Sequence, residues 1–190
     1  MYQEFESKTG ASSPETRLHR SDQAAPPTPR IRCRPVDFDI TKRVLAALEQ
    51  HGVRYAIFGA VALNLHGLAR FTADLDLFIE PIAENVERLR NALKAAVDDP
   101  AIDEISTDDL LGDYPAVQYN PPDATFHIDI LTRLGDAYTF ADLKVERIAL
   151  DELTVSVVTP QTLYDMKRDT VRLKDKADAH ALKERFGLKD

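Results

Sequence analysis

The chain has 190 residues, 44% of them apolar, with a net charge of −8 and a single cysteine, Cys33. That is enough length and apolar content for one cored domain, and one cysteine excludes an internal disulfide or a cysteine-based zinc site. No apolar run approaches the ~18 residues that span a bilayer, and the polar start MYQEFESKTG lacks the apolar middle of a secretory signal, so a cytoplasmic protein with no membrane partner is expected.

The charge is uneven. Residues 1–36 hold six Lys/Arg against four acids, a balance of +2, which leaves −10 on the rest. An acidic body is a poor general scaffold for nucleic acid, because phosphates need clustered cations. A local basic groove or a Mg²⁺–nucleotide complex stays open.

Residues 1–36 show no apolar periodicity and are rich in Pro, Ser, Thr and charge. Such a segment cannot bury enough surface to offset its ordering entropy, so a disordered tail is expected. Arg30, Arg32 and Arg34 would let it touch a partner; a dispensable extension is the plainer alternative. Order should begin near Phe38. In DITKRVLAALEQHG, Ile40, Val44, Leu45 and Leu48 share one helical face, with Asp39 as cap and Gly52 as stop.

RYAIFG (54–59) reads as a short strand ended by glycine, AVALNLHG (60–67) as a short helix, and LDLFIE (75–80) as a second strand. Pro81 should open a helix with Ile82, Val86, Leu89, Leu93 and Val97 on its apolar face. Residues 98–115 are acidic and read mostly as a solvated loop, with one helical turn near Asp108–Leu111. AVQYN (116–120) and TFHIDIL (125–131) read as strands joined by PPDA, and 145–150 with 153–158 as a hairpin turning at Asp151–Glu152. Thr159 caps a helix with Pro160 at its first position, and a last helix stops at Gly187. The fold class expected is α/β or α+β, a small mixed β-sheet flanked by helices. Three segments follow: a tail (1–36), a core (37–158) and C-terminal helices packed on it (159–190).

The stretch FTADLDLFIE carries the chemistry. Alternation along a strand points Asp74 and Asp76 the same way and Leu75 and Leu77 towards a core. Two carboxylates about 7 Å apart on one face repel each other, which raises a pKa or recruits a cation. Oxygen donors favour Mg²⁺ or Mn²⁺. Asp129 is a third acid inside an apolar strand; if the strands are neighbours, three carboxylates converge and can hold two ions for phosphoryl transfer. A wet, metal-free sheet face is the alternative for Asp-x-Asp by itself. Upstream, YAIFGA ends a strand in Gly59–Ala60 with a helix starting at once, an arrangement that offers backbone N–H groups to an anion.

Phe58–Gly59–Ala60, the thirteen residues 61–73, Asp74–Leu75–Asp76 and the later Asp129 resemble the motif of the DNA polymerase beta-like nucleotidyltransferase superfamily. The string FGAVALNLHGLARFTADLDLFI is similar to its small prokaryotic branch, which includes the AbiEii-type toxins and minimal nucleotidyltransferases. Arg70, Thr72 and Asp74 match an Arg-x-Thr-x-Asp run of that branch. LYDMKRDTVRLKDKADAHAL, with Lys167, Asp175 and Asp178, is similar to its late helices.

The resemblance implies a nucleotidyltransferase fold and transfer of a nucleoside monophosphate from an NTP, such as ATP, to a hydroxyl. It implies catalytic metal ligands at Asp74, Asp76 and Asp129, phosphate contacts from Gly59 and Ala60, and Lys167 reaching the triphosphate. Mg²⁺ or Mn²⁺ is the implied cofactor, a tRNA, protein or small molecule the acceptor, and a cognate antitoxin a partner. Ala60 departs from the usual Gly or Ser and brings no hydroxyl to the triphosphate, so a degenerate member that binds nucleotide or protein without turnover is the alternative. An acidic interaction domain with no site is a third.

From the residues alone, Arg70 meets either a phosphate or an acid, His66 is structural, and His127 shares a strand face with Asp129, where it either lines the site or sits beyond the reach of substrate. The basic run Lys167, Arg168, Arg172, Lys174 and Lys176 is either an anion-binding face or a solvated helix face.

Overall fold

A computed structural model describes residues 38–122, 124 and 126–189. The tail expected over 1–36 lies outside these. Six strands form one mixed sheet: β1 (Tyr55–Phe58), β2 (Asp74–Ile79), β3 (Ala116–Tyr119), β4 (His127–Leu131), β7 (Val145–Leu150) and β8 (Leu153–Val158). Their order is β3-β4-β2-β1-β8-β7. A two-stranded ribbon, β5 (Arg133–Leu134) with β6 (Tyr138–Thr139), stands apart. The helices are α1 (Phe38–Gln50), α2 (Gly59–Leu65), α3 (Ala83–Ala96), α4 (Thr107–Leu111), α5 (Pro160–Arg168) and α6 (Leu173–Phe186).

The centre of the sheet is where the sequence is most apolar. β1 runs antiparallel to β2, β2 parallel to β4, and β1 parallel to β8. Leu75, Leu77, Ile128 and Ile130 are fully buried on one face, each adding roughly 2 kcal/mol of apolar burial. α1 packs on α3 and buries Val44, Leu45 and Leu48 against Val86, Leu89 and Leu93, the stripes expected from the 3.6-residue period. Asn85 of α3 is wholly buried but fully engaged. Its side chain accepts from Arg54 N (2.8 Å) and donates to the carbonyls of Arg54 (2.9 Å) and Glu80 (3.1 Å). It thereby ties the start of β1 to the end of β2, which removes the cost of an unpaired amide in the core.

Several boundaries differ from the sequence reading. The second strand begins at Asp74, so both aspartates lie within it. The third helix begins at Ala83, two residues after Pro81, and Ile82 becomes its exposed N-cap. Asp39 lies in the first turn of α1 instead of preceding it. The acidic region is more than a solvated loop. A 3₁₀ turn (Pro100–Glu104) and α4 bury Ile102 and Leu110, and Ser106 with Asp109 forms a reciprocal capping box. The C-terminal pair matches expectation: Thr159 caps α5 through Thr162 N, and α6 ends at Gly187 in the left-handed region.

Candidate functional site

The site is built where β1, β2 and β4 run side by side. Phe58 lies opposite Asp76, Asp76 opposite Asp129, and Asp74 opposite His127. Residues paired in this way project to the same face of the sheet, so the three acids and the histidine share the face that the buried leucines do not. Asp74, Asp76 and Asp129 line one cavity of about 890 Å³, together with Gly59, Ala60, Arg70 and Lys167. That volume is in the range of small-molecule sites.

Gly59 is where β1 becomes α2. Its φ is +67°, and a Cβ added there would stand 1.8 Å from Oδ2 of Asp76. Two constraints therefore ask for glycine: the left-handed backbone, and the close approach of the carboxylate. The N–H of the next residue, Ala60, donates to that same carboxylate. Burial raises the Asp76 pKa, Asp74 and Asp129 raise it further, and Lys167 and the Ala60 N–H lower it; the balance lies at about 7.

The other two acids are held from the side. The Thr72 hydroxyl donates to Oδ1 of Asp74. Gln118 Nε2 donates to Oδ1 of Asp129 at 3.1 Å. His127 Nε2 lies 3.5 Å from Oδ2 of Asp129. Among the described residues, Asp74, His127 and Asp129 each offer one donor atom within 4.8 Å of the other two. These residues fit a divalent cation: anionic oxygens and one nitrogen converge, and burial together with the charges of Asp74 and Asp129 raises the pKa of the carboxylate beside them.

The opposite wall comes from the C-terminal helices. Lys167 Nζ bridges Asp175 Oδ1 (2.9 Å) and Asp178 Oδ2 (3.0 Å), and Arg70 Nε binds Asp178 Oδ1 (3.0 Å). The Lys167, Asp175 and Asp178 side chains are only 11–13% exposed. Burial raises the Asp175 pKa, but the Lys167 hydrogen bond and charge, with Arg172 and Thr170, outweigh it and hold the group below the usual range. Of the two partners expected for Arg70, the acid is present here as Asp178. The basic run breaks up: Lys167 is enclosed by acids, Arg168 faces Asp165 and Asp169, and Arg172, Lys174 and Lys176 are exposed.

His66 is buried, with Nε2 2.8 Å from the Val158 carbonyl and its ring edge-on to Phe186. Gln118 escaped the sequence reading, since a glutamine in an edge strand has no signature until its register with β4 is known. Leu134 and Tyr138 of the β5–β6 ribbon also line the cavity; two-residue strands leave no periodicity to read.

A glycine turn set against an Asp-x-Asp strand, with a third aspartate on its parallel neighbour, is the arrangement of the nucleotidyltransferases. Residues 43–186 match the family described as "Nucleotidyl transferase AbiEii toxin, Type IV TA system", and the chain belongs to that family. No curated protein matches it in sequence.

Solved structures are similar at low identity. The crystal structure of ANT(2")-Ia in complex with adenylyl-2"-tobramycin is 18% identical, covering 79% of this chain and 90% of that one, with a TM-score of 0.47. The solution structure of the antibiotic-resistance factor ANT(2'')-Ia is 17% identical, covering 78% and 83%, with a TM-score of 0.48. An antigenic nucleotidyltransferase-like protein from Paracoccidioides brasiliensis is 15% identical, covering 80% and 78%, with a TM-score of 0.46. No helix among the described residues is long and apolar enough to cross a membrane.

Proposed function

We propose that the chain transfers a nucleoside monophosphate from an NTP to a hydroxyl, with Asp74, Asp76 and Asp129 holding divalent cations. One observation carries the reading: the β2–β4 register stacks Asp76 beside Asp129 on the cavity face, with the Gly59–Ala60 turn against them. Bound metal would neutralise the phosphates and the leaving pyrophosphate.

The chain's own residues do the rest. Gly59 and Ala60 present backbone without bulk, so a phosphate approaches closely; the seven-residue α2 adds little dipole. Asp129, partly exposed and steadied by Gln118, faces the cavity from β4 and would orient the acceptor hydroxyl. Lys167 and Arg70 would turn towards the triphosphate when it enters, exchanging one set of anions for another. Family membership makes a cognate antitoxin a natural partner. The acceptor is then an RNA, a protein or a small molecule.

The alternative, nucleotide or protein binding without turnover, is favoured by Ala60: it has no hydroxyl, and its N–H is already committed to Asp76. Incubation with each labelled NTP, Mg²⁺ or Mn²⁺ and total RNA or lysate separates the two. Transfer that falls at least about 100-fold in Asp74→Ala and Asp76→Ala is expected. Nucleotide binding without transfer in the parent would establish the alternative, and transfer that survives in both variants would overturn the site.

A further inference from the structure

One side chain outside the carboxylate pattern stands within coordination reach. His127 opens β4, opposite Asp74 and two residues before Asp129, so its ring emerges on the same face as both. Its Nε2 is 3.5 Å from Asp129 Oδ2. That is long for a hydrogen bond but compact for two donors around one ion. An ion about 2.1 Å from each donor needs donors about 3–4 Å apart. In the group of Asp74, His127 and Asp129 the donor atoms all lie within 4.8 Å of one another, near that spacing. Thr72 and Gln118 steady one oxygen of each carboxylate without neutralising it, as outer partners of metal ligands do. The His127 side chain is 30% exposed, open to solvent and not filling a core.

We propose that His127 is a nitrogen ligand of a cation shared with Asp74 and Asp129, and that it makes this position prefer a first-row transition ion to Mg²⁺. The proposal rests on the metal-dependent reading of the site. Mg²⁺ keeps to oxygen donors, whereas an imidazole adds affinity along the series from Mn²⁺ towards Zn²⁺. In this view the aspartates make the site cationic and His127 selects the ion. A plain ion pair between a protonated His127 and Asp129 would produce the same 3.5 Å contact, and it differs in predicting no metal–nitrogen bond.

The test uses the full chain stripped with EDTA and titrated with MnCl₂ alone. Electron spin-echo modulation should show a directly bound ¹⁴N in the parent protein. The signal should vanish in His127→Ala and His127→Gln, with Mn²⁺ affinity down about tenfold and Mg²⁺ affinity, read by competition, little changed. His127→Gln carries the test if His127→Ala loses native circular dichroism. A ¹⁴N signal absent from the parent, or persisting in the folded variants, overturns the proposal; Mn²⁺ binding that still depends on Asp74 would then leave the nucleotidyltransferase reading standing. No saturable Mn²⁺ binding in the parent overturns both.

Discussion

The two walls of the cavity treat charge in opposite ways. On the helical wall, Arg70 and Lys167 meet Asp175 and Asp178, two cations hydrogen-bonded to two acids, with Lys167, Asp175 and Asp178 nearly closed to water and Arg70 partly exposed. On the sheet wall, a histidine and neutral donors lie against Asp74 and Asp129, and Lys167 acts on Asp76 through its charge. On the helical wall the Lys167 hydrogen bond and charge outweigh burial and hold Asp175 low; on the sheet wall burial, with Asp74 and Asp129 beside it, outweighs Lys167 and raises Asp76. Direct pairing with a cation, more than the count of acids, separates the two clusters.

The comparison breaks most severely at Lys167. Lys167→Met leaves Asp175 buried without its cation and should cost about 3 kcal/mol in urea unfolding. Adding Asp175→Asn should restore much of that loss, which a purely additive pair would not do. If Lys167→Met is neutral, the helical wall is not a balanced cluster.

Gly59 tests the contact between the walls' shared floor and the sheet. Gly59→Ala forces a Cβ onto Asp76 in a left-handed backbone. A loss of about 2 kcal/mol is expected, together with weaker metal binding by calorimetry. A fully stable variant with native metal affinity would show that Asp76 is free to move.

The smallest effect is a pH trend of the metal-free protein. The folded pKa of Asp76, about 7, lies above the ordinary carboxylate value, so the native state holds this proton more tightly than the unfolded chain. Its contribution is greatest at low pH and is lost as pH rises from about 4 through 7. In EDTA, Asp76→Asn should therefore gain on the parent as pH rises from about 4 to 7 and level off by pH 8. Added Mn²⁺ should abolish the difference by stabilising the parent. A pH-independent difference would contradict the raised Asp76 pKa.

Much of this was legible in sequence. The strands β1, β2 and β4, the buried stripes of α1 and α3, and the same-face placement of Asp74 and Asp76 follow from local periods of 2 and 3.6, which single segments carry by themselves. Gly59 before the helix and the Thr159–Pro160 cap are likewise local. The acidic stretch 98–115 read as loop because its charges mask two short turns, whose burial of Ile102 and Leu110 needs a neighbour to exist. The β5–β6 ribbon was too short to signal.

By itself, then, the sequence determined the central strands and the long helices, the Asp-x-Asp face and the family. Only the tertiary structure decided the partners. The parallel β2–β4 pairing brings Asp129 beside Asp76 and His127 beside Asp74 across some fifty residues of chain. The packing of α5 on α6 encloses Lys167 between acids in a run that reads as basic. Those facts depend on register and packing, and both are properties of segments in contact, which no single segment encodes.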